Sequence, residues 1–108
     1  MPVTKFSEIE FKKKREKVSF KSITGENSQL VVFRYEKGEK TDHSHPMEQI
    51  GYVLSGEAEF FIEDETFTLK AGDAYHIPSG KRHGFNIISD TGLELIESYS
   101  PVKAENIY

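Results

Sequence analysis

Apolar and polar positions alternate in short stretches along this chain, and turn residues close each stretch. Val18, Phe20 and Ile23 interleave loosely with polar neighbours before Thr24-Gly25-Glu26-Asn27 turns the chain. Leu30–Tyr35 is β-branched and aromatic and stops at Lys37-Gly38. Gln49–Leu54 follows, then a turn at Ser55-Gly56. From Glu57 to Glu63 the alternation is strict, with Ala58, Phe60 and Ile62 on one face and Glu57, Glu59 and Phe61 on the other. Thr66–Lys70, Ala74–Ile77, His83–Ile88 and Leu93–Tyr99 are delimited by Ala71-Gly72-Asp73, Pro78-Ser79-Gly80 and Ser89-Asp90-Thr91-Gly92. A period of two, with Gly or Pro punctuation every ten or so residues, predicts an all-β sandwich or barrel.

The amino-terminal stretch carries a different signal. Ser7-Glu8-Ile9-Glu10 has the serine-to-glutamate spacing of a helix capping box. The run Lys12-Lys13-Lys14-Arg15-Glu16-Lys17 has no apolar face to pack as a helix. It reads as a solvated arm or a lysine-protected edge strand, with an anionic-ligand or nucleic-acid patch as the rival.

Composition narrows the class. The chain has 108 residues and 36 % hydrophobic content, enough for one domain around one core. Fourteen Lys and Arg against eighteen Asp and Glu leave a net charge of −4, which argues against a general nucleic-acid binder. No cysteine is present, so neither a disulfide framework nor a thiolate metal site is available. The longest clean apolar run is Leu30-Val31-Val32-Phe33, far short of the ~20 residues of a spanning helix. Residues 1–10 lack the apolar stretch of a secretory signal. The expected location is the cytoplasm, with no membrane partner.

The histidines supply the candidate chemistry. His43 and His45 share strand parity, so both imidazoles project from one face. The same parity reaches Gln49, whereas Glu48 points the other way. His83 follows the turn Pro78-Ser79-Gly80 and enters from another strand. Imidazoles gathered on one face suit a first-row divalent cation. Spacing alone leaves a pair of satisfied structural histidines equally open. His76, beside Ile77-Pro78, stays outside the ligand set.

At these residues the sequence resembles the cupins. Gly38, His43, His45, Gln49 and Gly56 match their first motif, Gly-x5-His-x-His-x3/4-Glu-x6-Gly. Gly72, Pro78, Gly80, His83 and Asn86 match the second, Gly-x5-Pro-x-Gly-x2-His-x3-Asn. Three departures stand out: Gly38 and Asn86 each lie one residue too near their histidine, and glutamine replaces glutamate at Gln49. The resemblance covers about residues 30–101. It implies a double-stranded β-helix, or jelly-roll, barrel with a metal held inside. In that scheme residues 1–29 form an arm and edge strands, 30–101 the barrel core and 102–108 a tail. The implied ligands are His43, His45, Gln49 and His83, around one divalent ion (zinc, nickel, manganese or iron). An amide oxygen cancels none of the dication's charge, so the site favours an anionic ligand and Lewis-acid chemistry over oxygen activation.

A closer resemblance lies in His43-Ser44-His45-Pro46-Met47-Glu48-Gln49, in Gly51-Tyr52-Val53-Leu54 and in Tyr99-Ser100-Pro101-Val102-Lys103. These look like the small pectin-degradation cupins, which convert unsaturated uronates to the linear ketone form. The resemblance implies catalytic roles for Glu97, Tyr99 and Lys103, each a departure from the usual aspartate, phenylalanine and arginine. Parity alone places Glu97 with Leu93, Leu95 and Tyr99, so its carboxylate either enters the interior or emerges where the strand reaches solvent. A buried carboxylate needs a partner, a metal or a proton. The expected partner is a small anionic substrate. The rivals are a metal-dependent dioxygenase or isomerase on another molecule, and a non-catalytic ligand-binding cupin. Ile50, Tyr52 and Leu54 give one strand a second apolar face, which, with the family's habit of sheet packing, predicts a homodimer.

Overall fold

In the computed structural model, which describes residues 3–108, eight antiparallel strands account for nearly all regular structure. They are β1 (Lys12–Arg15), β2 (Val18–Thr24), β3 (Gln29–Tyr35), β4 (Glu48–Ile62), β5 (Glu65–Lys70), β6 (Ala74–Ile77), β7 (His83–Ile87) and β8 (Leu93–Ser100). Among the described residues no helix is long and apolar enough to cross a membrane.

β4 organises the barrel. Its first half lies between β8 and β6, and β8 continues the sheet through β3 and β2 to β1 at the edge. Its second half lies between β5 and β7 in the opposing sheet. The register shifts between Val53 and Ser55, where the strand passes from one sheet to the other. The pattern predicts a turn at Ser55-Gly56, and the structure corrects this: the two stretches are one fifteen-residue strand. Gly56 marks a bend rather than a reversal. It holds φ +89°, and a Cβ there would lie 2.0 Å from the Gly92 carbonyl oxygen.

The expected capping box is also corrected. The amino-terminal turn is a single 3-10 turn over Phe6–Glu8, capped at Lys5 without a side-chain bond. No apolar stripe follows to lengthen it, and the chain passes directly into β1. The basic run therefore becomes an edge strand, paired on one side only, and Lys17 turns the chain at φ 71°.

The core lies between the two sheets. Val18, Phe20, Val31, Phe33, Tyr35, Val53 and Leu95 come from one, and Ala58, Phe60, Phe85 and Ile87 from the other. Aromatic rings bridge the gap, Tyr35 to Phe85 at 6.3 Å and Tyr75 to Phe85 at 5.6 Å between centroids. Along β8 the inward positions run Leu93, Leu95, Glu97, Tyr99, so the interior changes from apolar to polar toward one end. The beginnings of β4 and β7 meet the end of β8 there, and that end carries the chemistry.

Candidate metal centre

Two loops bring the histidines to this polar end. His43 and His83 form an isolated antiparallel bridge, each N–H donating to the other's carbonyl at 3.0 and 2.9 Å. The turn Pro78-Ser79-Gly80 is tied to the stretch that bears His45. The Gly80 N–H donates to the His45 carbonyl at 2.9 Å, and Ser79 Oγ donates to the Pro46 carbonyl at 2.6 Å. The three rings face one another with centroids 4.6 to 5.4 Å apart, and their ligand nitrogens all lie within 4.8 Å.

The tautomers follow from the partners. Nδ1 of His45 lies 2.8 Å from the Met47 carbonyl, and Nδ1 of His83 lies 2.8 Å from the Lys81 carbonyl. A carbonyl only accepts, so both rings carry hydrogen on Nδ1 and present an Nε2 lone pair inward. Those two Nε2 atoms are buried without a partner. Burial, reinforced by the Lys103 charge and by the repulsion a protonated His83 would exert, lowers His43 to about 4. Burial also lowers His45 and His83. All three rings are thus neutral near pH 7, the state that binds metal.

Gln49 completes the set. Its Nε2 donates to Glu97 Oε2 at 2.7 Å, and its Oε1 is a third buried atom without a partner. Such atoms are costly in a protein interior. Two imidazole nitrogens and an amide oxygen left open beside a third imidazole fit a divalent cation. Glu48 is exposed and bonds His76 Nε2 at 2.7 Å on the outer surface, away from this cluster.

Glu97 lies wholly inside, 1 % exposed, which decides between the two placements that parity allowed. Its carboxylate accepts from Gln49, from Tyr99 Oη at 2.7 Å and from Tyr75 Oη. Burial raises its pKa, and the three donors pull against that rise. The Tyr75 and Tyr99 hydroxyls are pushed well above their usual value by burial and by the Glu97 charge, so both remain donors. Lys103 is largely buried beside Tyr99, its Nζ 5.6 Å from the ring centroid and 3.2 Å from Glu105. Tyr75 is absent from the sequence reading. Its parity with Ile77 marks it as inward, but nothing local indicates a carboxylate two strands away. Gly51 makes the contact possible, because a Cβ there would lie 2.2 Å from the Tyr75 hydroxyl.

A family model described as a cupin domain matches residues 31–99. The chain belongs to the cupin family. His43, His45, Gln49 and His83 lie within the matched range, and the barrel is the jelly roll that the resemblance implies. Pectin degradation protein KdgF of Dickeya dadantii is 37 % identical over 78 residues, 70 % of each chain. Polyketide synthase CurC of Streptomyces cyaneus is 34 % identical over 75 residues, which are 68 % of this cupin and 47 % of CurC. Among solved structures, KdgF from Halomonas sp. superposes with TM-score 0.84 at 26 % identity, covering 92 % of this chain and 94 % of that one. An RmlC-like cupin from Shewanella frigidimarina reaches TM-score 0.89 at 22 % identity, covering 99 % and 96 %, a likeness of fold.

Proposed function

We propose that this cupin is a divalent-metal enzyme that opens the ring of a 4,5-unsaturated uronate to its linear ketone form. The observation that carries the reading is the Glu97 carboxylate, sealed from solvent and bonded to the amide that also faces the imidazoles. The 37 % identity to KdgF points the same chemistry toward pectin-derived acids.

The reaction is an isomerisation and needs no redox partner. The hemiacetal hydroxyl loses its proton, the bond from C1 to the ring oxygen breaks, and the ring oxygen remains on C5 as an enolate. The enolate becomes the ketone when a proton arrives at C4. One proton leaves and one arrives, so a single carboxyl group can serve both steps. Glu97 is suited to this, since burial favours its protonated form while Tyr75, Tyr99 and Gln49 stabilise its anion. Lys103 supplies a positive charge for the substrate carboxylate, without the two-pronged geometry of arginine. His43, His45, Gln49 and His83 would hold the divalent ion, which would supply Lewis-acid chemistry at this site.

A second reading is metal-dependent chemistry on another small molecule; the 34 % identity to CurC, named a polyketide synthase, widens the candidates beyond uronates. NMR of an unsaturated uronate with metal-loaded protein separates the two. The uronate reading expects ring opening well above the spontaneous rate, falling roughly 10²- to 10⁴-fold in Glu97→Gln while metal content is retained. Spontaneous rates with the parent protein contradict it.

A further inference from the structure

The basic edge strand contributes more than protection of the sheet edge. Lys14 on β1 turns inward, with only 14 % of its side chain exposed, and Lys103 enters from beyond β8 with 10 % exposed. Between them sits Glu105, whose two oxygens are divided between the lysines. Oε2 lies 3.2 Å from Lys14 and Oε1 lies 3.2 Å from Lys103. Two nearly buried ammonium groups thus share one carboxylate that is itself 57 % exposed. Arg15, the next cation on β1, is already held by Glu39 at 2.8 and 3.0 Å. One unit of positive charge is left over beside the metal centre, because Lys14, Lys103, Glu105, Tyr99 and the ligand His43 line a single cleft.

We propose that Lys14 and Lys103 form a carboxylate subsite at the mouth of the metal centre, and that Glu105 competes with the substrate carboxylate for it. The ligand's identity rests on the uronate reading; the subsite rests on the lysine pair. The 3-10 turn Ala104–Asn106 that carries Glu105 is fastened through Asn106 independently of Glu105. Ser22 Oγ donates to the Asn106 carbonyl, and Lys14 Nζ donates to Asn106 Oδ1. Glu105 can therefore rotate into solvent while the turn stays docked. With Glu105 in place the cleft holds about 50 Å³, room for a water or two but not a sugar acid. A carboxylate that displaces Glu105 keeps both lysines paired and opens the way to His43 and Tyr99.

The test is an NMR titration of the zinc-loaded full chain with D-galacturonate and, separately, with neutral D-galactose. In Glu105→Gln the galacturonate affinity rises about fivefold, because removing the internal competitor increases the open fraction, and galactose is unaffected. Lys14→Met weakens galacturonate by about tenfold, the scale of one charge-assisted contact, and Lys14→Arg retains binding. Unchanged or weaker galacturonate binding in Glu105→Gln, or galacturonate shifts that bypass Lys14 and Lys103, overturns the subsite. Failure of ring opening with these titrations as expected removes the uronate substrate and leaves the subsite standing. Ring opening without the Glu105→Gln gain removes the subsite alone.

Discussion

Burial and neighbouring positive groups hold His43 near 4 and depress His45 and His83 in the same direction. An unfolded histidine titrates near 6.5, so between about 6.5 and 4 the unfolded chain binds protons that the folded site refuses. Stability of the metal-free protein from these groups is therefore present above 6.5 and lost as pH falls through that window. Glu97, raised by burial, acts in the opposite sense, since its folded form retains a proton longer than the unfolded one. Urea melts of metal-free protein are expected to show a lower midpoint at pH 4.5 than at pH 7, with the difference reduced in His43→Asn. A midpoint that does not fall, or a His43→Asn variant as acid-sensitive as the parent, contradicts this. Much of the site was legible one residue at a time. Strand parity separates Gln49 from Glu48, and the structure places Gln49 inside and Glu48 on the surface. Parity could not say how deep Glu97 lies, because depth depends on how far β8 runs before leaving the barrel. Tyr75, Glu105 and Asn106 were not legible, since each acquires its meaning from a partner distant in sequence.

At the scale of elements, alternation, β-branched and aromatic content and turn punctuation together located the strands from β2 to β8. Strand β8 alternates inward and outward, whereas β3 buries Val31, Val32 and Phe33 in succession. The same signals divided β4 wrongly. Ser55-Gly56 has turn chemistry, yet the long strand needs that glycine to bend between sheets against Gly92. A local reading cannot distinguish a reversal from a bend when the residues required are the same. The amino-terminal capping signal failed for a related reason. Ser7 and Glu10 have the spacing, but a helix also needs an apolar stripe to pack, and the following residues form the edge strand β1. Lys14 falls where the pairing of β1 with β2 shifts between Lys13 and Arg15, and it turns inward to the cleft beside Tyr99, a role that residue type could not reveal.

At the scale of the whole molecule, the outer face of the larger sheet carries an apolar patch among charged pairs. Ile50, Tyr52 and Leu54 are exposed along β4, with Leu30 on β3 in the same sheet. We propose that a second copy of the chain covers this face. Light scattering at high micromolar protein is expected to give the dimer mass, and Tyr52→Lys the monomer mass; a monomeric parent contradicts the proposal. The centre itself stands on buried atoms of His45, Gln49 and His83 that are left without partners. Elemental analysis of the chain purified without a histidine tag tests that most directly. About one equivalent of a divalent transition metal per chain is expected, the stoichiometry of a mononuclear site, and His83→Ala should abolish it. Protein that is correctly folded yet retains no such metal after incubation with zinc, nickel, manganese and ferrous iron in turn would contradict the account.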